Sequence, residues 1–335
     1  MARPIRRGIS VLIARFLDGL AFLARHGTQA FIVSIVAGLA LPQLATLARP
    51  LLSVCIFMFI ALMFARADLA IVGQIVRHPR RLVLVGLWLI LAPAGLIALG
   101  LALVGRSSLD PGLVLGISLI AAAPPILSGP AIAALIGIEP SFILASTLLA
   151  TLFAPFVSPI LADWVAGAAV PLDPAALALR LALLIGSAIL AATLLRRVVG
   201  VERLVMRRQS IDGAAVVIYF VFAVAAMDGL TTSAMADPVL VAGFLAIAFL
   251  ISFAGLAAGW IGLPLLVPKE RLMLGYATGQ RNIGLLVAAL GASVPDTTFL
   301  FFSVAQFPIY LMPQLLRTLA SYVPEGRAGD PVAGP

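Results

Sequence analysis

One short polar run interrupts an otherwise apolar stretch of the chain. Residues 278–282 are Thr-Gly-Gln-Arg-Asn, and apolar sequence lies on both sides of them. A charged side chain at the middle of a membrane-spanning helix costs at least a few kcal/mol, so it normally faces a cavity, a ligand or a partner. The planar guanidinium of Arg281 suits carboxylate or sulfonate oxygens. The run therefore predicts an anion site; the alternative is that Arg281 snorkels or pairs with a buried acid, for which Asp228 is the nearest candidate.

A second segment is interrupted for a different reason. Pro124, Pro125 and Pro130 lie within seven residues of the sequence AAAPPILSGPAIAALIG, which also contains Ser128 and Gly129. Proline has no backbone N–H and its ring clashes with the preceding turn of a helix. The cluster predicts a helix that is unwound near residues 124–130, with a kinked packing helix as the alternative.

The composition of the chain indicates the class of protein in which these two interrupted segments lie. Of 335 residues, 62% are hydrophobic and 11% are charged, and the mean hydropathy is +1.16, whereas soluble domains are roughly half apolar and about a quarter charged. These values exclude a soluble enzyme, a disordered chain and a disulfide scaffold. With one cysteine and two histidines, we expect no metal site, no cofactor and no enzymatic activity, and no nucleic-acid partner despite the net charge of +8.

Ten segments approach or exceed the roughly 20 apolar residues that a spanning helix needs. They are residues 28–46, 48–65, 82–104, 112–137, 140–162, 175–195, 213–230, 238–261, 270–292 and 297–317. In lipid the N–H and carbonyl groups of such a segment find hydrogen-bond partners within the segment only if it is a helix. The sequence therefore predicts an all-α polytopic membrane protein with ten transmembrane helices.

The distribution of positive charge predicts the topology. If both termini are cytoplasmic, 18 of the 22 Lys and Arg residues fall in cytoplasmic segments, as the positive-inside rule requires. We therefore expect insertion into the inner membrane of a cell, with both termini inside. Residues 1–27 are predicted to form an amphipathic helix on the cytoplasmic surface, with an eleventh span as the alternative, and residues 321–335 a disordered tail.

The two interrupted segments occupy matching positions, since they are spans four and nine of the ten. A division into five plus five makes the second half inverted, which gives repeats over residues 28–167 and 168–320. Broken helices at matching positions of inverted repeats are the best sequence pointer to the midplane site of a transporter. The N-termini of their half-helices would present positive dipole ends to an anion.

Four stretches of the sequence carry a resemblance to a known family. They are FARADLAIVGQIVRHPRRL, the span that contains Pro93, AAAPPILSGPAIAALIGIEPSFILASTLLATLFAPFVSPILA, and YATGQRNIGL. At this spacing, over most of residues 28–320, the chain resembles the bile acid:sodium symporter family.

The resemblance implies ten helices in two inverted repeats, with two broken helices that cross. It also implies a panel domain made of spans 1, 2, 6 and 7, and a core domain that holds the crossing. Members of the family use sodium to move organic anions such as bile acids, sulfated steroids, keto acids and pantothenate precursors.

The sequence departs from the family's pattern at the first crossing and in the span after it. Gly129 and Pro130 stand where the family has a Ser-Asn pair. In the following span Ile143 lacks an expected hydroxyl, while Thr147 keeps one.

The departures at the second crossing concern charge. Ala277 stands where the family has a glutamate, and Arg281 stands where it has a sodium-binding glutamine. Trp88 replaces a supporting glutamine, whereas Gly279 and Asn282 still fit. Both sodium sites are therefore predicted to be lost.

One hypothesis covers these changes together: Arg281 either binds the anionic substrate or replaces the coupling ion. The loss of the acid at Ala277 would leave this cation without a neutralising partner. The predicted substrate-binding residues are Arg281, Asn282, Gln280, Thr278, Ser128, Gly129 and Pro130. The remnants of the ion sites are Thr147, Ala277 and Gly279.

We therefore predict a secondary transporter that moves a small organic anion by alternating access without sodium. Two alternatives stay open at this point: a transport-inactive sensor or ligand-binding scaffold, and a symporter still coupled to sodium through non-standard ligands. The expected partners are the organic anion and the lipid bilayer, and both a monomer and a dimer fit the sequence.

Overall fold

The structure is a computed structural model that describes residues 18–20, 22–23, 27–67, 73, 79–138, 140–170 and 172–323. It is all-helical, with 87% helix. The α-helices are α1 Gly27–Ala40, α2 Pro42–Ala48, α3 Leu52–Arg66, α4 Pro79–Val104, α5 Pro111–Ala122, α6 Gly129–Leu135, α7 Ser141–Ala166, α8 Pro174–Val199, α9 Val201–Met206, α10 Arg208–Ala226, α11 Leu230–Ala236, α12 Pro238–Gly262, α13 Pro268–Gly279, α14 Ile283–Leu290 and α15 Asp296–Tyr322.

Seven helical segments among the described residues are long and apolar enough to cross a membrane, by length and composition. They are Pro42–Arg66, Leu82–Val104, Ile143–Ala166, Pro174–Val199, Arg208–Ala236, Pro238–Gly262 and Asp296–Tyr322. This architecture is that of a polytopic helical membrane protein. The segments missing from the predicted ten are α1, which has 14 residues, and the two spans that contain breaks.

The boundary predicted between the first two spans is wrong. Spans at residues 28–46 and 48–65 were expected, but the helix breaks at Leu41, where φ is −124° and ψ is 74°. Pro42 disfavours the helical conformation for the residue before it, and it begins α2 as an N-terminal proline. The next helix then runs to Arg66 through a 3₁₀ turn at Arg49–Leu51.

Helical residues extend into both predicted terminal segments, 1–27 and 321–335. The described residues of the predicted amphipathic segment, 18–20 and 22–23, are helical, and Gly27 begins α1; the other residues of 1–26 lie outside the described residues. The tail was predicted to begin at residue 321, but α15 continues through Tyr322. Residues 324–335 also lie outside the described part of the chain.

Three helices, α5, α8 and α12, begin at an Asp-Pro pair. The carboxylate of Asp110 accepts hydrogen bonds from the N–H groups of Gly112 and Leu113 at 2.8 and 3.1 Å. The carboxylate of Asp173 accepts one from the N–H of Ala176 at 3.0 Å, and that of Asp237 accepts one from the N–H of Leu240 at 2.9 Å. Such caps satisfy N–H groups that have no partner within the helix, and proline fits the first helical position because it has none to satisfy.

The residues divide into two compact units, and the chain passes between them at residues 66/67, 185/186 and 232/233. In the first unit, α10 packs against α1, α2 and α3. Asp228, the acid that the sequence offered as the nearest candidate partner of Arg281, is 7% exposed and has other partners. Its carboxylate accepts hydrogen bonds from Thr46 at 2.7 Å and from Arg49 at 3.0 Å. A buried carboxylate is stable only when it is paired in this way.

In the second unit, α12 lies directly along α13. The close approach depends on glycines, because a Cβ atom on Gly255 or Gly259 of α12 would collide with the backbone of Gly279 or Gly275 of α13. A Cβ atom on Gly279 would in turn lie 2.5 Å from the carbonyl oxygen of Ser252. Small residues let helix backbones pack closely without a large apolar driving force. This packing holds the segment just before Arg281 against α12.

We expect the substitution Gly255→Leu to destabilise the protein by more than the 1–3 kcal/mol that is usual for overpacking, because its side chain meets backbone and not a movable side chain. Thermal unfolding of the purified protein in detergent measures the effect. Gly243→Leu is the matched control on the same helix, since nothing lies within 4 Å of a Cβ atom there. Equal melting temperatures for the two variants would contradict the assignment.

Candidate functional site

The two predicted interruptions are present, and they meet. The first lies between Ala122, the end of α5, and Gly129, the start of α6; the second lies between Gly279 and Ile283. Pro125 and Arg281 form an isolated antiparallel bridge. Breaks were predicted near residues 124–130 and 277–282; the backbone is non-helical at residues 123–128 and 280–282, whereas 129–130 and 277–279 are helical.

The bridge explains why prolines are tolerated at this place. The N–H of Ile126 donates to the carbonyl of Gln280 at 3.1 Å, and the N–H of Asn282 donates to the carbonyl of Pro124 at 2.9 Å. In this register Pro124 only accepts, and Pro125 lies in the pair that exchanges no hydrogen bond. The crossing thus provides hydrogen-bond partners for backbone groups that each interrupted helix would otherwise leave unpaired.

Arg281 lies at this crossing, and its side chain is bound by backbone carbonyls. The residue is 4% exposed. Its Nη1 donates to the carbonyl of Ala277 at 3.1 Å, and its Nη2 donates to the carbonyl of Leu89 at 2.8 Å. Ala277 belongs to the last turn of α13, where the negative end of the helix dipole favours a cation. The guanidinium therefore joins α13 to α4.

A proline on α4 explains why the Leu89 carbonyl can accept this bond. Pro93 lies inside α4, four residues after Leu89. In an uninterrupted helix the N–H of residue 93 would bond to that carbonyl, but proline has no N–H. The free acceptor is the one that Arg281 uses. Sequence reasoning missed this partner, although a proline four residues after a buried leucine is a visible signal of a free carbonyl.

Three buried side-chain atoms around the crossing have no hydrogen-bond partner in the structure. They are Nε of Arg281, Oε1 of Gln280 and Nδ2 of Asn282. All three residues are at most 8% exposed. Since buried polar groups are nearly always paired, each such atom requires an explanation. Atoms of this kind, clustered on three consecutive residues, indicate a place where a small polar species can bind.

A small cavity adjoins Arg281 and Gln280. Its volume is about 10 Å³, and its wall also includes Gly279, Ile283 and, on α12, Ser252. Ser252 was not predicted from the sequence, because nothing in the apolar segment around it signals a site. A volume of this size holds about one water molecule. The cavity is therefore too small for an organic anion.

The other predicted residues of the second crossing have mixed roles. Thr278 is 2% exposed, and its hydroxyl donates to the carbonyl of Leu274 at 2.7 Å while accepting from Nε1 of Trp88 at 3.1 Å. The hydroxyl thereby holds α4 against α13. Asn282 is the residue that precedes α14, and its carbonyl accepts from the N–H of Leu285 at 3.0 Å.

The predicted residues of the first interrupted helix lie outside the cavity wall, and Gly129 lies near α7. A Cβ atom on Gly129 would lie 3.3 Å from Ile143 and 4.0 Å from the hydroxyl oxygen of Thr147 on α7. Ser128 precedes α6 without capping it through its side chain, and Pro130 lies in the first turn. None of residues 128–130 lines the cavity beside Arg281. The structure thus brings Gln280, Arg281 and Gly279 together at the cavity and leaves Ser128, Gly129, Pro130 and Thr147 outside its wall.

No protein-family model matches this chain, and no curated protein sequence matches it either. In the described part of the chain, no group of three or more His, Cys, Asp or Glu side chains could hold a metal ion.

The role of Pro93 can be tested by a double-mutant cycle with Arg281. In Pro93→Ala the new N–H can bond to the Leu89 carbonyl and compete with the guanidinium. We expect the effects of Pro93→Ala and Arg281→Gln on unfolding free energy to be non-additive by about 0.5–3 kcal/mol, the usual coupling between residues that share a partner. Unfolding in mixed detergent micelles measures all four proteins. Pro159→Ala on α7, paired with Arg281→Gln, should give additive effects; additivity for Pro93 would contradict the proposed link.

Proposed function

We propose that this protein is a secondary transporter that moves a small organic anion across a cell membrane by alternating access. The architecture proposed is that of the bile acid:sodium symporter family, with ten crossings in two inverted five-helix repeats. Following the positive-inside rule, both termini lie in the cytoplasm. The observation that carries the proposal is the pair of interrupted helices that cross at a buried arginine.

The bounds of the helices support the ten crossings. Seven continuous segments are long enough to span a membrane. The two interrupted helices, α5/α6 and α13/α14, supply one span each, and α1 supplies the tenth. The order of elements also repeats. The pair α5/α6 is followed by α7 with 26 residues, and the pair α13/α14 is followed by α15 with 27 residues. Such a repeat, with breaks in matching helices, is the arrangement that places a transporter's site at the bilayer midplane.

The grouping of helices supports the resemblance as well. The first unit contains α1, α2, α3 and α10. The second unit contains both interrupted helices, α5/α6 and α13/α14, together with α4, α7, α12 and α15. A panel domain of spans 1, 2, 6 and 7 and a core domain with the crossing were expected. Only α8, the sixth span, departs from this expectation, because the boundary at residues 185/186 divides it between the units.

The contacts of Arg281 favour replacement of the coupling ion over direct coupling to sodium. In transporters with broken helices, the carbonyls at half-helix C-terminal ends are the groups that coordinate sodium. Here the carbonyl of Ala277, in the last turn of the half-helix α13, accepts from Nη1 of Arg281. The guanidinium supplies at this place the positive charge that an ion would supply. Because Arg stays protonated in proteins, the charge is permanent and needs no sodium gradient.

We expect Arg281→Gln to lower the uptake of organic anions into proteoliposomes by at least about tenfold, since a hydrogen bond to a charged group contributes about 1.5–3 kcal/mol. The variant should still fold, as a monodisperse peak in gel filtration would show. Arg203→Gln, on the exposed face of α9, is the matched control for loss of one positive charge. Normal uptake by Arg281→Gln would refute the proposed site, and binding of anions without uptake by the unaltered protein would favour a sensor or scaffold.

A second prediction concerns the driving ion. Replacing external sodium by potassium or choline at constant ionic strength should leave the initial rate of uptake unchanged within a factor of about two, because no sodium ion is needed to hold the crossing. The measurement is uptake of a labelled organic anion under an imposed sodium gradient and without it. A strong dependence on an inward sodium gradient would overturn sodium independence and restore a symporter with unusual ligands.

A further inference from the structure

We propose that the cavity beside Arg281 binds a single chloride ion in the closed, substrate-free state. This inference rests on the proposed function, because it names the occupant of the same site between transport events. Three features of the site support it: charge, hydrogen-bond donors and size.

The first feature is a buried positive charge without a negative partner. Both acceptors of the Arg281 guanidinium are neutral backbone carbonyls, those of Ala277 and Leu89. Among the residues that the structure describes, no acidic side chain pairs with it. Carbonyl dipoles orient the charge but do not cancel it, and an uncompensated buried charge is costly. A mobile anion is the remaining means of neutralisation.

The second feature is a pair of unused side-chain donors, one on a residue that lines the cavity and one on the residue after it. Nε of Arg281 is buried without a partner, and Arg281 lines the cavity. Nδ2 of Asn282, on the next residue, is also buried and unpartnered. Directly after it, the eight-residue helix α14 begins at Ile283, which lines the cavity too. The first N–H groups of a helix have no partner within it, and with the helix dipole they favour an anion.

The third feature is size. A cavity of about 10 Å³ accepts one species about as large as water. A monatomic anion such as chloride needs only a slight adjustment of the wall, whereas a carboxylate attached to a carbon skeleton needs the site to open. Water is the competing occupant, since one molecule could accept from Nε of Arg281 and donate to Oε1 of Gln280. Water leaves the positive charge uncancelled, and for this reason chloride is favoured.

The consequence for transport is competition. When the site opens, the anionic group of the substrate takes the place of chloride on Arg281. Chloride should then reduce the apparent affinity for substrate without changing the maximal rate, because both anions cannot neutralise the same guanidinium.

The decisive experiment measures chloride binding directly, in the full-length protein in detergent and without substrate. The line width of the ³⁵Cl resonance is titrated with sodium chloride against sodium gluconate, at constant sodium concentration. We expect line broadening that saturates with a dissociation constant on the order of tens of millimolar, the affinity that the best contacts allow for a single atom.

Four variants locate the bound ion. Arg281→Gln should abolish the broadening. Ala277→Glu should abolish it too, because residue 277 already contacts the guanidinium through its carbonyl and a carboxylate on it would supply a built-in counter-ion. Ala277→Gln has nearly the same size without the charge and should keep the broadening, as should Arg203→Gln on the exposed face of α9.

The possible outcomes are distinct. Broadening that is lost in both Arg281→Gln and Ala277→Glu and kept in the two controls supports the proposal. No broadening in the unaltered protein up to 300 mM (about four times the constant of about 80 mM that this affinity corresponds to) would overturn it and leave water in the cavity. Broadening that survives in Arg281→Gln and Ala277→Glu would also overturn it, since the ion would then bind elsewhere. Chloride binding without any uptake of organic anions would refute the proposed function and leave this inference standing.

Discussion

Two unwound backbone segments cross inside the second unit, and each supplies the hydrogen bonds that the other lacks. In an apolar medium an unpaired backbone N–H or carbonyl costs several kcal/mol, so a helix cannot be interrupted there unless another group takes the freed positions. Ile126 and Asn282 donate across the crossing, and Gln280 and Pro124 accept. Neither interruption would be stable by itself. The two helices that carry them, and the helices that pack against them, must therefore keep their relative positions for the site to exist.

The same requirement explains the contacts of Arg281. Unwinding α13 after Gly279 leaves the carbonyls of its last turn without helical partners, and Pro93 frees one more carbonyl on α4. The guanidinium donates to one carbonyl of each kind, at Ala277 and Leu89. A single side chain thus completes the backbone of two helices while it brings a permanent charge to the crossing. Its third kind of donor, Nε, has no partner in the structure, and Arg281 lines the cavity.

The small volume of the cavity is related to the close glycine contacts between α12 and α13. The backbone of α13 lies against α12 through Gly255, Gly259, Gly275 and Gly279, so the wall that contains Ser252 comes close to Gln280 and Arg281. Side chains add to this contact, because Leu256 and Trp260 of α12 pack against the cluster that contains Met273 and Tyr276 of α13. The side chain of Arg271 also donates from Nε to the carbonyl of Trp260 at 2.6 Å.

Much of the candidate site could be predicted from residue types alone. Three prolines within seven residues cannot form an ordinary helix, and the polar run at 278–282 cannot stay unpaired in lipid; both constraints are local, and both interruptions are where the sequence puts them. The helix boundary at Pro42 was equally local but was masked by the uniform hydropathy around it. The partners were a different matter, because they depend on residues far apart in the chain. The pairing of Asp228 with Arg49 and of Arg281 with Leu89, the role of Ser252, and the size of the cavity were decided by tertiary packing. Sequence alone determined that a buried arginine and two breaks must exist, since composition and proline chemistry require it. Only the fold decided what the arginine binds, since that depends on which distant carbonyls are left without an N–H.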